Sequence, residues 1–157
     1  MSMASPAKAL RSANFTGKAV RFTRAGESMG LPALGVSERI RGVMRGFPYK
    51  SLTTFAENFG VSPAVLAQTV GIPERTLARR RAAGRLAPDE SERLLRLASI
   101  FEKTVALFEG DIPAAVQWLS TPKRAIENQA PLQYARTEVG AREVENLIGR
   151  LEYGVFS

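Results

Sequence analysis

The stretch Ser62-Pro63-Ala64-Val65-Leu66-Ala67-Gln68-Thr69-Val70-Gly71-Ile72-Pro73-Glu74-Arg75-Thr76-Leu77-Ala78-Arg79-Arg80-Arg81-Ala82-Ala83-Gly84 decides how this chain folds. Ser62 supplies an N-cap oxygen and Pro63 a preset first-turn φ, so a short helix opens there with Val65, Leu66 and Val70. Gly71 ends it by taking a positive φ that other residues resist. Pro73 and Glu74 start a second helix that runs to about Ala83, and Gly84 closes it. Two helices crossing steeply need a small side chain where they meet, and Ala67 provides it. Leu77 is expected to anchor the second helix in the core.

A helix-turn-helix of this form places the outward face of its second helix in a DNA major groove. Arg75 and Arg79 stack at i and i+4, as do Thr76 and Arg80. The expected DNA contacts are therefore Glu74, Arg75 and Thr76 nearest the base edges, with Arg79 and Arg80 on phosphates. Arg81 lies one turn beyond Leu77, on the side expected to face the protein, and is expected to pair with Asp89, Glu90 or Glu92.

Working outward, helical spacing holds on both sides. Val36, Ile40, Val43 and Met44 recur every three or four residues until Gly46 and Pro48 intervene, and Leu52, Phe55, Ala56 and Phe59 follow on the stripe of a helix ending at Gly60. A longer helix begins near Pro88 with Leu94, Leu97, Ala98, Phe101, Val105 and Phe108 on one face. At about 1.5 Å per residue it spans roughly 30 Å, enough to join two halves of a molecule. Its apolar face is also a candidate homodimer interface. Asp111 and Pro113 open a helix carrying Val116, Trp118 and Leu119, Pro131 opens a short piece, and Thr137 caps a final helix that Gly154 ends. Trp118 is expected in the core. No period-two strand pattern persists. The fold class is therefore all-α: a helix-turn-helix domain over residues 31–100 and a small helical domain over residues 101–157, joined by a long helix.

Residues 1–30 mix small residues with Lys8, Arg11, Lys18, Arg21 and Arg24, and read as a basic disordered arm. The same composition fits an organelle transit peptide. Charge falls along the chain, with 9 basic and 2 acidic residues among positions 1–50, 7 and 5 among 51–100, and 6 and 8 among 101–157. The front and middle suit a polyanion, and the tail suits a basic or neutral partner. The chain of 157 residues contains no Cys and no His, which removes thiol nucleophiles, imidazole bases and the usual zinc ligands. No phosphate-cradling Gly-rich loop is present either. The chain is thus expected to have no enzymatic activity, no catalytic residues, no metal and no cofactor. No apolar run approaches the roughly 20 residues of a membrane span, so a cytoplasmic protein is expected.

Two stretches carry a family resemblance. The first is Gly71-Ile72-Pro73-Glu74-Arg75-Thr76-Leu77-Ala78-Arg79-Arg80, with Gly84-Arg85-Leu86, Glu90-Ser91-Glu92-Arg93 and Arg96-Leu97-Ala98. The second is Ala115-Val116-Gln117-Trp118-Leu119 with Pro122, then Pro131-Leu132, Thr137-Glu138-Val139-Gly140-Ala141, Val144 and Tyr153-Gly154-Val155. From about residue 35 onward the chain resembles the Xre/MbcA/ParS family of bacterial antitoxins, whose partners are RES-domain toxins. It departs from that pattern at Lys123, where the family often has Asn, and at Glu127-Asn128, where the family often has Gly-Gly.

The resemblance implies an antitoxin that sequesters a toxin which consumes NAD or transfers ADP-ribose from it, and that represses its own operon as a homodimer on operator DNA. A cleft that holds dinucleotide phosphates is basic, which suits an acidic tail. Glu152, Tyr153, Gly154, Val155, Phe156 and Ser157 are the expected toxin-binding residues, entering or covering that cleft. The competing reading has Tyr153 and Phe156 cap the last helix against the core. A helix-turn-helix transcriptional regulator without a toxin, and more remotely a helical enzyme using acidic residues, are the alternatives.

Overall fold

The computed structural model describes residues 17–154, and among these every regular element is helical. In chain order they are α1 (Val36–Arg45), α2 (Tyr49–Phe59), α3 (Pro63–Thr69), α4 (Glu74–Ala83), α5 (Pro88–Leu107), α6 (Ile112–Ser120), α7 (Pro131–Tyr134) and α8 (Glu138–Glu152), with single 3-10 turns at Glu27–Met29 and Arg124–Ile126. The chain divides into two compact units: Thr23–Ser99, and Ile100–Ser157 together with Met1–Phe22. The division falls within α5, between Ser99 and Ile100.

The first unit is organised by α2 and the start of α5. Leu52, Phe55, Ala56 and Phe59 on α2 are buried, as are Leu94, Leu97 and Ala98 on α5. Each large side chain removed from water here stabilises the unit by about 2 kcal/mol. Two polar ties close it. Phe47 N–H donates to Ser91 Oγ at 2.8 Å, and Asn58 Nδ2 donates to the Ser28 carbonyl at 2.8 Å. Gly46 lets the turn after α1 lie against the strand-like residues that follow α4: its φ is +84°, and a Cβ there would fall 2.0 Å from the Leu86 carbonyl oxygen.

α1 behaves differently. It contains no buried residue, and Val36, Ile40 and Met44 are 64%, 54% and 71% exposed. Its other side meets the Phe47 ring, 2.9 Å from where a Cβ on Gly42 would stand. The apolar spacing seen in the sequence is real, but nothing in the unit covers that stripe.

The second unit buries Ile100, Phe101, Val105 and Phe108 of α5 against Ala115 and Leu119 of α6 and Ala141, Val144 and Ile148 of α8. Asp111 Oδ1 caps α6 by accepting from Ala114 N–H at 3.0 Å, and Thr137 Oγ1 caps α8 by accepting from Gly140 N–H at 3.0 Å. The α7 end and the first turn of α8 touch backbone to backbone, since a Cβ on Gly140 would lie 1.7 Å from the Tyr134 carbonyl oxygen. Gly140→Ala is accordingly expected to destabilise this unit by about 3 kcal/mol, read as a lower urea midpoint for the probes that report on it.

The expected disordered arm through residue 30 is corrected over its later part. Val20 N–H donates to the Gly110 carbonyl at 3.1 Å, and the Phe22 and Phe101 ring centroids are 5.7 Å apart. Further on, Met29 is 1% exposed and the Glu27 carboxylate accepts from Thr23 N–H at 2.7 Å, which holds its pKa below the usual carboxylate range. Apolar residues sparse among basic ones escape a compositional reading, yet each can still fill a core position. Residues 1–16 lie outside the described ones.

The apolar face of the long helix is also used up within the chain. Leu94, Ala98, Phe101, Val105 and Phe108 are all buried by their own units, so this face does not offer the homodimer surface expected of it.

Candidate functional site

The helix-turn-helix forms as its residue types dictate. Ser62 Oγ accepts from Val65 N–H at 3.2 Å to cap α3, and Gly71 takes φ +77° in the turn. Ile72 N–H donates back to the Ala67 carbonyl at 2.8 Å, and Leu66, Ala67, Val70 and Ile72 are buried at the joint. The α4 helix that follows has no buried residue. Leu77, expected as its core anchor, is only half-buried, and the joint is packed by Val70, Ile72 and Leu86 instead.

This shifts the helix about its axis. The half-buried residues of α4 are Thr76, Leu77 and Arg80, so its inner side lies roughly 50° round from Leu77 toward Thr76 and Arg80, at about 100° per residue. The roles expected of Arg80 and Arg81 are therefore exchanged. Arg80 Nε sits 2.7 Å from Glu90 Oε1, and the Glu90 side chain is 6% exposed. Glu90 holds the Arg80 guanidinium in its charged form, raising its pKa. The same carboxylate accepts from Ala87 N–H at 2.8 Å, capping α5. Arg80 thus pins α4 to α5 and is removed from the set of free DNA contacts.

Arg81 is exposed and makes no ion pair among the described residues. Asp89 and Glu92 are taken by Arg93 at 3.2 Å and Arg96 at 3.6 Å. Glu74, Arg75 and Arg79 are exposed along the outer side of α4, while Thr76 Oγ1 accepts from Arg79 Nη2 at 3.3 Å. What the helix presents is a cationic ridge that begins with a carboxylate and carries donors suited to guanine edges and phosphates.

At the other end of the chain, Glu152 and Tyr153 close α8. Tyr153 is 81% exposed, so its ring does not cap the helix against the core. Gly154 has φ +70°, and Val155, Phe156 and Ser157 lie outside the described residues. Trp118 is half-buried, its ring 6.5 Å from that of Phe108 and 5.1 Å from Lys123 Nζ. Burial against this site lowers the Lys123 pKa.

The turn after Pro122 survives without glycines. Glu127 and Asn128 both take φ +59°, and Asn128 N–H donates to the Lys123 carbonyl at 2.9 Å. Asn tolerates this conformation and Glu does so at a cost. Glu127→Gly is expected to stabilise the second unit by about 1 kcal/mol, seen as a raised thermal midpoint.

Sequence reasoning missed the Arg80–Glu90 pair and the exposure of Val139, which is 76% accessible on α8 beside the better-marked Tyr153. Glu90 at the third position of its helix was a usable signal: a carboxylate there reaches back to the preceding N–H, which leaves its second interaction to a neighbour. Among the described residues, no His, Cys, Asp or Glu cluster is arranged to hold a metal ion, and no helix is long and apolar enough to cross a membrane.

Comparison with known proteins agrees with both halves. Residues 38–99 match the Antitoxin Xre-like helix-turn-helix domain, and residues 103–154 match the Antitoxin Xre/MbcA/ParS C-terminal toxin-binding domain. An Antitoxin Xre from Yersinia enterocolitica is 38% identical over 130 residues, covering 82% of this chain and 88% of its own length. One from Photorhabdus laumondii is 38% identical over 93 residues, covering 59% of this chain and 63% of its own. An Antitoxin Xre from Pseudomonas putida is 34% identical over 110 residues, covering 69% and 67%. An exposed cationic recognition helix and a matched toxin-binding domain in one chain lead to one assignment: the chain belongs to the Xre/MbcA/ParS family of antitoxins.

Proposed function

We propose that this chain neutralises a RES-domain toxin that consumes NAD or transfers ADP-ribose from it, by covering the toxin's active-site cleft, and that it represses its own operon through DNA binding. The observation that carries the reading is the pairing, in one chain, of an α4 helix with no buried side chain and a toxin-binding domain whose last helix ends in an exposed Tyr153. The excess of acidic over basic residues among positions 101–157 supports a basic, dinucleotide-holding partner. The DNA-contacting set is Glu74, Arg75, Thr76 and Arg79, and the cleft-covering set is Glu152 to Ser157.

The chain itself performs no catalysis in this reading, consistent with a sequence without Cys or His, and it works in the bacterial cytoplasm beside its toxin and operator. It acts as a homodimer, so that two recognition helices meet two half-sites. The uncovered stripe of Val36, Ile40 and Met44 is the apolar surface left for such pairing. Light scattering at operator-binding concentrations checks this, and a strict monomer removes it.

Co-expression with the adjacent gene product tests the core of the reading. The expected result is a stable complex in which NAD loss caused by that product is suppressed. Capture of promoter DNA with no capture of the neighbouring protein would instead make the chain a transcriptional regulator without a toxin.

A further inference from the structure

The recognition helix does not exhaust the cationic surface of Thr23–Ser99. Several arginines there are engaged: Arg80 with Glu90, Arg93 with Asp89 and the Val70 carbonyl, Arg96 with Glu92, and Arg85 with the Gly46 carbonyl. Arg41 and Arg45 on α1 and Arg81 on α4 are exposed and bonded to none of the described residues. Arg41 and Arg45 stand one turn apart at i and i+4, on a side of α1 distinct from the Val36, Ile40 and Val43 stripe. The single acidic residue of α1, Glu38, lies in its first turn and accepts from Gly35 N–H at 3.3 Å.

The end of α1 is fixed to the end of α4 by backbone ties. Leu86 N–H donates to the Phe47 carbonyl at 2.9 Å, Tyr49 N–H donates to the Gly84 carbonyl at 2.9 Å, and Pro48 forms a bridge with Arg85. Gly46 makes this approach feasible, since any Cβ at that position would collide with the Leu86 carbonyl. Arg45 directly precedes Gly46, and Arg81 lies one turn before Gly84. The cations of α1 are therefore carried by the same rigid corner that ends the recognition helix.

We propose that Arg41, Arg45 and Arg81 form a second cluster, flanking the C-terminal end of α4, that grips the phosphate backbone of duplex DNA without reading its sequence. The proposal rests on the DNA-binding reading above. Its chemistry follows from what the corner offers: guanidinium groups on long stems, no neighbouring carboxylate to quench them, and no Asn or Gln to read base edges. A phosphate grip beside the recognition helix sets register and adds affinity, while Arg75 and Arg79 discriminate bases.

The test uses the full chain carrying Arg41→Gln and Arg45→Gln together, titrated against a duplex with its own promoter and against a random duplex across a range of salt. Loss of two phosphate contacts is expected to reduce the slope of log affinity against log salt by about 1.8 and to weaken both duplexes alike, by roughly 30-fold at about 0.15 M salt. An unchanged slope, or a loss confined to the promoter duplex, overturns the cluster while leaving the recognition helix in place. Absence of duplex binding by the unsubstituted chain at every salt removes the DNA reading itself, and the cluster with it. Loss of toxin capture with an unchanged salt slope would assign this corner to the toxin and also overturn the proposal.

Discussion

Exchanging Arg75 and Arg79 together for alanine is expected to weaken operator binding by about 100-fold, from the ~1–3 kcal/mol that a good guanidinium contact to a base edge contributes, and to leave the thermal midpoint unchanged. Both side chains are exposed on a helix without a buried residue, so their removal leaves no cavity and no orphaned partner. Arg80→Ala, one residue further on, is expected to behave in the opposite way. It strips the buried Glu90 carboxylate of its cation and leaves Ala87 N–H as the donor to that oxygen. Breaking a fully buried pair costs more, but the Arg80 side chain is 30% exposed and solvent screens part of the interaction, so a loss of about 2 kcal/mol is expected. Adding Glu90→Gln to Arg80→Ala removes the stranded charge and should restore part of the midpoint. Gel-shift titrations below all the transitions, read beside melting curves, check both halves. Equal melting losses for Arg75→Ala and Arg80→Ala would show that the inner side of α4 has been misplaced.

Deleting Tyr153 to Ser157 is expected to abolish neutralisation while sparing the fold and the DNA affinity. Tyr153 is 81% exposed, so the truncation withdraws almost no core surface at that residue. Leu147 and Ile148, which hold α8 to its unit, remain in place. The readout is NAD content after induction of the toxin alongside the truncated chain. Restored NAD consumption with a retained complex separates cleft coverage from docking, because docking then rests on other parts of the toxin-binding domain, such as the exposed Val139. Full protection of NAD by the truncated chain would dismiss cleft coverage by the tail.

Much of the fold was legible because its boundaries are written in side-chain chemistry. Ser62, Asp111 and Thr137 cap α3, α6 and α8 through side-chain oxygens, and Gly60, Gly71 and Gly84 take positive φ where helices stop. The rotation of a helix about its axis is written less clearly. With Leu77 the largest apolar residue between Glu74 and Ala83, a sequence reading centres the inner face on it, whereas the Glu90 carboxylate draws that face toward Arg80. Periodicity likewise reveals that α1 has an apolar side and says nothing of what covers it. Contacts between distant segments, such as Phe47 N–H on Ser91 Oγ across 44 residues, leave no local trace. That is why the packing of Val20, Phe22 and Met29 was hidden inside a stretch that looked merely basic. At the site, residue types and spacing were enough to nominate Arg75 and Arg79, but separating the two later arginines required knowing which carboxylates had already been claimed.

The recognition helix carries no packing duty of its own, and this has an evolutionary consequence. Its outer positions can be rewritten without taxing the fold, because the joint at Ala67 and Ile72 and the Arg80 anchor hold it from beneath. Duplicated copies of such a gene within one genome are then free to drift to separate operators while keeping one scaffold, and each copy can come to answer to its own promoter alone.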